Sequence, residues 1–375
     1  MREASRHILF LATEYAAGMR PYANAIIHAL WQQGDHVVIV TKDKSGIRDF
    51  YDLPQDSVTW IQYPHSKLGK LAFRFHPSQL LESIEQVVQE HGIQLIYSLT
   101  GELVLVNSIR RLQHMAPVLY TIHDAVGHDS KFNHWITWLK HKIFVSIPQH
   151  RLIKFTHYQI TNSKSQQLFV SSNYPYHKVY YAPFPALISD EIAEGRDAVP
   201  ELKDIADGYI LFFGNLQLYK GVHLLYESYL THPDMQRRQL VIAGSGYIYF
   251  NRKAHLEQQI TFINRFIDDR ELHDLFSRAS IVVYPYISAT QSGVTSIAAY
   301  FGKPMVLSDL PFFKETCDGI EGIHFFAAGD SESLATAISR CMQQTSSSSR
   351  LLYDRQYSPQ IMTDTLNNIL SEFLD

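Results

Sequence analysis

The chain has 375 residues, of which 46% are hydrophobic and 19% charged, with a formal net charge of −4. That length exceeds one typical core and predicts two domains, while the mildly acidic balance gives no overall case for nucleic-acid binding. Two cysteines, Cys317 and Cys341, are too few for a disulfide framework and point to a reducing compartment, and no apolar run reaches membrane-spanning length.

The first half alternates strand and helix. Ile8–Ala12 is an apolar run ended by Thr13 and Glu14, too short for a signal-peptide core, and it predicts a buried first strand. A loop with Gly18 follows. Tyr22, Ile26, Ile27 and Leu30 share one face of a helix predicted from Pro21 to Gln33, with Gly34 as its stop. Val37–Val40 is the next strand. Leu80, Leu81, Ile84, Val87 and Val88 mark a second helix ending near Gly92. Strands at Gln94–Tyr97 and Val118–Ile122 complete an alternation that predicts an α/β fold with a doubly wound parallel sheet. Ligands of such sheets bind beyond the carboxyl ends of the strands.

Tyr180–Ala193, with Pro183 and Pro185, reads as a hinge, and a second α/β domain is expected to start near Tyr209. Domain boundaries are expected at 185/186 and 350/351. Val222, Leu225, Tyr226 and Tyr229 predict a helix after Lys220; Leu272, Leu275, Phe276 and Ala279 predict another, capped by Asp268 with Glu271. Ser346–Ser349 reads as a flexible connector. Ser358 then caps a last helix with Pro359 at its first position and an apolar stripe of Met362, Leu366, Ile369, Leu370 and Phe373.

Two segments of the second half carry the chemistry. Phe212–Gly221 reads FFGNLQLYKG, and Tyr284–Val306 reads YPYISATQSGVTSIAAYFGKPMV. Each is an apolar strand running through a small-residue turn into a helix, which presents backbone N–H groups to an anion. Lys220 adds a charge at the first helix mouth. Two such mouths in one domain point to one diphosphate ligand, such as a nucleotide-sugar.

The ordered set resembles the retaining family 4 glycosyltransferases of the GT-B fold. Gly214, Lys220 and Gly221 match that family's first turn; Gly244, Ser245 and Gly246 match a Gly-x-Gly turn after the strand Leu240–Ala243. The strand Ile281–Pro285 and the Gly302-Lys303-Pro304 end of the donor loop follow in order. The resemblance implies two Rossmann-like domains facing an interdomain cleft: residues 1–185 for the acceptor and 186–350 for the donor, with 351–375 crossing back onto the first.

It also implies roles. Lys220 clamps the departing phosphate; Gly18, Gly214, Asn215 and Gly244 border the donor. The family usually has an arginine at the position of Asn215 and glutamates at those of Ala289 and Ile297, so three charges are missing. Thr290, Gln291, Ser292, Gly293 and Val294 stand in the donor loop and resemble a Thr-Gln-Ser-Gly subset of bacterial enzymes. There, backbone N–H groups of Ser292–Val294 would face the pyrophosphate, and Thr290 and Gln291 the sugar hydroxyls. His123, after the strand Val118–Ile122, corresponds to a histidine near the reaction centre, able to donate to a sugar hydroxyl or to take a proton; His128 is a weaker candidate. Phe266 lies where the family packs the nucleotide base; a plain core aromatic is the alternative.

Lys131–His157 contains no acidic residue. Trp135, Trp138, Lys140 and Lys142 stand within it, a mixture suited to a membrane interface; His65–His76, with Lys67, Lys70 and Arg74, repeats the theme. The expected protein is a metal-independent retaining glycosyltransferase, since no strand ends in an Asp-x-Asp motif. It would take a UDP-, GDP- or dTDP-sugar as co-substrate and no other cofactor. Its expected acceptor is a glycan or lipid-linked glycan of a bacterial surface polysaccharide, and its expected place the cytoplasm with peripheral contact at the inner membrane face. Two rivals remain: a nucleotide-sugar 2-epimerase, and a non-catalytic sugar-nucleotide or glycan-binding protein.

Overall fold

The strands are nearly continuous apolar runs, as parallel strands covered on both faces require. A computed structural model describes residues 6–15, 19–41, 50, 52–101, 103–125, 139, 142–289, 291–344 and 348–374. Gly18, His128, Trp135, Trp138, Lys140 and Thr290 lie outside these. The chain divides into two compact units, Met1–Pro185 with Pro359–Asp375, and Ala186–Ser358.

The first unit carries β1 (Ile8–Ala12), α1 (Arg20–Leu30), β2 (His36–Thr41), β3 (Val58–Gln62), α2 (Lys67–Phe75), α3 (Ser78–His91), β4 (Leu95–Ser98), α4 (Leu103–Met115), β5 (Val118–Ile122), α5 (Ile147–Phe155), β6 (Tyr158–Thr161), α6 (Lys164–Asn173) and β7 (Lys178–Tyr181). The strand order is β3-β2-β1-β4-β5-β6-β7, and every pairing is parallel. Alternate residues of each strand feed two cores. Leu9, Leu11, Val38 and Val40 pack with α3, α4 and α5; Ile8, Phe10, Val37 and Ile39 pack with α1 and the C-terminal helix.

The second unit carries a short helix, α7 (Asp190–Glu194), then β8 (Tyr209–Phe213), α8 (Val222–Thr231), β9 (Leu240–Ala243), β10 (Ile260–Ile263), α9 (Leu272–Ser277), β11 (Ala279–Tyr284), α10 (Val294–Tyr300), β12 (Met305–Ser308), α11 (Pro311–Cys317), β13 (Ile323–Phe326), α12 (Ser331–Gln343) and α13 (Ser349–Leu352). Its order is β10-β9-β8-β11-β12-β13, again all parallel. The order reverses between β1 and β4 in one sheet and between β8 and β11 in the other, the switch points where such sheets take ligands.

The last helix, α14 (Pro359–Leu374), belongs to the first unit. Its stripe of Met362, Leu366, Ile369 and Leu370 is buried with α1, and Phe373 meets the Tyr158 ring edge-on at 4.8 Å. Arg6 Nη1 donates to Asn367 Oδ1 at 2.6 Å, and Lys178 and Tyr180 both bond Glu372.

Several local expectations change. Helix α1 stops at Leu30 rather than Gln33, and Gly34, with φ +102°, sits in the turn beyond it. Tyr180 and Tyr181 finish β7 rather than opening a hinge. The second unit begins well before Tyr209: Ser189 Oγ donates to Asp269, and the Val199 N–H to Asp274, tying the leading segment to the body. Asp268 and Glu271 form the expected capping box, but Ala279 opens β11 instead of closing a helix. Ser349 is fully buried and starts α13, so that end of the serine run is not a flexible connector. Among the described residues no helix is long and apolar enough to cross a membrane.

Candidate functional site

In the second unit the carboxyl ends of β8, β9, β10 and β11 share one edge of the sheet, and their turns interlock. Gly214, Gly244 and Gly246 have φ of +143°, +140° and +148°, values that L side chains rarely adopt. A Cβ on Gly244 would lie 2.1 Å from the Gly214 carbonyl oxygen. The Leu216 N–H donates to the Ser245 carbonyl at 2.9 Å, and Ser245 Oγ lies 3.3 Å from Asn215 Oδ1. Asn264, after β10, completes the set by exchanging two 3.1 Å hydrogen bonds with the Gly246 backbone.

Gly221 draws the β8 turn against the β11 turn. Its φ is +66°, and a Cβ there would stand 1.8 Å from the Pro285 carbonyl oxygen. The Ile287 N–H donates to the Tyr219 carbonyl at 2.8 Å. This close approach brings Lys220 to Tyr286. The Lys220 ammonium donates to Tyr286 Oη at 2.6 Å and lies 4.0 Å from that ring's centre. Tyr286 Oη lies 3.4 Å from Ser292 Oγ, so Lys220 and Ser292 meet around one phenol. Burial pulls the Lys220 ammonium below the ordinary lysine pKa, against an opposing pull from Tyr219. Burial pushes the Tyr286 phenol the other way, so it stays protonated and neutral.

The donor loop is anchored from inside the unit. Thr295 Oγ1 donates to the Ser292 carbonyl at 2.9 Å and shares a 2.8 Å bond with Tyr357 Oη. Tyr284 Oη donates to the Val294 carbonyl, and Ser296 Oγ to the Gly293 carbonyl. Gly293 takes the N-cap position of α10, and Val294 is its first residue. Gln291 is half-buried beside them. Lys303 serves the scaffold: its Nζ donates to the Ser277 and Ala279 carbonyls at 2.7 and 2.9 Å, closing the end of α9.

Phe266 is 73% exposed, so the core-aromatic alternative fails. Arg265 grips Glu201 and Glu271 with hydrogen bonds of 2.6–2.9 Å, and Ile267 is buried. The loop is thus fixed on both sides of an outward ring. Sequence reasoning misses Tyr286 as a site residue, although the segment Tyr284–Val306 contains it. Its signal is its position one residue after Pro285, beyond the β11 end and on the side facing the Lys-Gly turn.

In the first unit, β1, β4 and β5 likewise end together. Thr100, after β4, accepts from the Glu14 N–H at 3.0 Å, and His123, after β5, bonds the Leu99 carbonyl through Nε2 at 2.8 Å. A carbonyl accepts only, so Nε2 carries the proton. Burial lowers the His123 pKa, which keeps the ring neutral near pH 7 and leaves the lone pair on Nδ1. Nε2 is thus committed to the Leu99 carbonyl, and of the two roles expected for His123 the proton-accepting one would run through Nδ1. Tyr22 meets the ring edge-on at 4.8 Å, and Gln166 holds the His123 carbonyl. Lys142 is exposed. The structure brings together Gly214, Asn215, Lys220, Gly244 and Ser292–Val294 in one unit and places His123 in the other.

Residues 207–344 match the family model described as Glycosyl transferases group 1. No curated protein sequence matches the chain. Among solved structures, Anabaena HepE in complex with UDP and glucose aligns with a TM-score of 0.70 at 17% identity, covering 98% of this chain and 100% of its own. Sucrose-phosphate synthase from Thermosynechococcus elongatus aligns at 0.70 with 14% identity and coverage of 98% and 99%. An α,α-trehalose-phosphate synthase (UDP-forming) from Burkholderia vietnamiensis aligns at 0.66 with 16% identity and coverage of 98% and 100%. The chain has the GT-B fold: two parallel-sheet α/β units and a C-terminal helix that returns to the first.

Proposed function

We propose that the protein is a retaining, metal-independent glycosyltransferase that moves a sugar from a nucleotide-sugar to a glycan or lipid-linked glycan of a bacterial surface polysaccharide. The observation that carries this reading is the convergence of Lys220, Tyr286 and Ser292 at the β8/β11 switch point, inside the segment 207–344 that matches the glycosyltransferase family model. Departure of a nucleoside diphosphate needs compensation of the charge developing on its phosphates. Lys220 supplies a cation, and the first N–H groups of α10 supply neutral donors. His123 Nδ1 is suited to accept a proton or hydroxyl hydrogen in the acceptor unit. Similarity to HepE, solved in complex with UDP-glucose, makes UDP-glucose the first donor to test.

A second reading, a non-catalytic sugar-nucleotide-binding protein, is favoured by one observation. Asn215, Ala289 and the buried Ile297 leave the site without the family's arginine and glutamates.

A thermal-shift screen of nucleoside diphosphates and nucleotide-sugars, followed by turnover assays with and without EDTA, tests both. Stabilisation by UDP with donor turnover that survives EDTA supports the transferase. Stabilisation without turnover of any donor supports the binding protein. Activity that disappears with EDTA and returns with magnesium or manganese overturns metal independence.

A further inference from the structure

Helix α2 of the first unit carries an apolar stripe that is exposed among the described residues. Leu68, Leu71, Ala72 and Phe75 stand at i, i+3, i+4 and i+7, hence on one side of a helix. Leu68 is 81% exposed, Leu71 47% and Phe75 44%, and Ala72 is exposed as well. The one side chain that α2 buries is Phe73, which packs under α4 with Val104, Leu105 and Ile109. Ser66 caps the helix, accepting from the Gly69 N–H at 3.0 Å, and Asn107 of α4 bonds the Arg74 carbonyl at its other end. The stripe is therefore held outward on a fixed scaffold.

Charge specifies the occupant. Lys67, Lys70 and Arg74 stand at i, i+3 and i+7, on a second stripe beside the apolar one. No acidic residue occurs between Asp56 and Glu82. On the same layer, α5 also packs on α4 through Leu152 and Ile153, and its exposed side adds Arg151 and Lys154, with Lys142, Ile143 and Ile147 at its entry. An apolar stripe bordered by cations suits a surface with hydrocarbon below and negative charge at its rim. A second protein copy would have to present a matching acidic border.

We infer that α2 lies in the interface of an anionic lipid bilayer, with Leu68, Leu71 and Phe75 among the acyl chains and Lys67, Lys70 and Arg74 at the headgroups. This gives the lipid-linked acceptor reading a physical surface. It rests on α2 rather than on the donor site, so either can fail alone.

The test is flotation with phosphatidylcholine vesicles, with and without phosphatidylglycerol, at low and high salt. The wild-type chain floats with the anionic vesicles at low salt and is released at high salt. Leu71→Ser with Phe75→Ser, both at exposed positions, lowers vesicle partition by roughly tenfold or more, while the circular dichroism spectrum and the thermal unfolding midpoint stay as in wild type and report an intact fold. Phe75→Trp shows additional blue-shifted emission, quenched by bromolipids, when anionic vesicles are added. The inference is overturned if the wild type ignores anionic vesicles at low salt. It is equally overturned if the double variant floats as well as wild type, or if sedimentation shows a dimer that the double variant abolishes while vesicles are ignored.

Discussion

Lys220 Nζ and Tyr286 Oη are 2.6 Å apart, although 66 residues separate them in the chain. The phenol gives a desolvated ammonium one strong acceptor, and the ring face below it adds a cation–π contact. Both hold the charge at the switch point without a carboxylate, which would neutralise it before an anion arrived.

Lys220→Ala should therefore weaken UDP binding and turnover together. A charge-assisted bond to phosphate is worth about 1.5–3 kcal/mol, or roughly ten- to a hundredfold. Unchanged UDP affinity in calorimetry would remove Lys220 from the site. The pH dependence adds a sign. The cation is needed for binding, and its pKa lies below the ordinary 10.5. Affinity then falls as pH rises through that lowered value. Tyr286→Phe removes the acceptor and should move the alkaline fall to lower pH, with a similar Tm; an unmoved profile would leave Tyr286 a packing residue.

Gly221→Ala combines a left-handed φ with a Cβ 1.8 Å from a backbone oxygen, so the turn must open. Gly319 has a similar φ of +75° with nothing within 4 Å. Gly319→Ala should cost only the backbone term, about 1 kcal/mol. Gly221→Ala should cost at least 1–2 kcal/mol more, roughly, and lower UDP affinity because Lys220 is displaced. Chemical denaturation and calorimetry on the pair check this; equal losses of stability would show that the close approach relaxes freely.

His123→Ala should depress turnover by roughly 10²–10⁴-fold if Nδ1 handles a proton, while UDP affinity changes little. His123→Gln should not restore the rate, because an amide is not a base at neutral pH. Equal losses in binding and rate would assign the residue to folding.

His36 predicts an acid-side loss of stability. Burial, aided by the neighbouring His91, lowers its pKa to about 4 from 6.5. A depressed histidine pKa contributes stability above pH 6.5 that is lost as pH falls toward 4, up to about 3 kcal/mol. Asp35 acts in the opposite sense, because burial raises its carboxyl to about 6; its protonation on acidification offsets part of the loss. Comparing wild type with His36→Gln isolates the histidine, since Asp35 is common to both. The stability gap between them should narrow between pH 7 and pH 4.5 in urea titrations, and a constant gap would refute the shift.

Legibility in the sequence follows burial. Strand β1 is legible to the residue because both of its faces are covered and its run is uniformly apolar. Edge strands β3 and β7 are not: Thr59, Gln62 and Lys178 break their patterns, and an edge strand tolerates such residues. The site divides similarly. Glycines with forced φ and the single lysine stand out in a one-dimensional motif. Tyr286 does not, since its role depends on a turn that reaches it from 66 residues away. Tyr22, packed edge-on against His123, shows in the sequence only as part of a helix stripe for the same reason.

The return of α14 to the first unit makes the two units unequal as stretches of chain. Residues 186–358 are continuous and can be cut out as one piece, whereas the first unit is assembled from two segments that flank them. During synthesis its β1 and α1 emerge first, yet Met362, Leu366, Ile369 and Leu370 arrive only after the whole second unit has been made. Until then the α1 side of the first core is exposed, so a ribosome-bound or C-terminally clipped chain presents an open apolar surface to chaperones and proteases. The second unit can finish folding before the first.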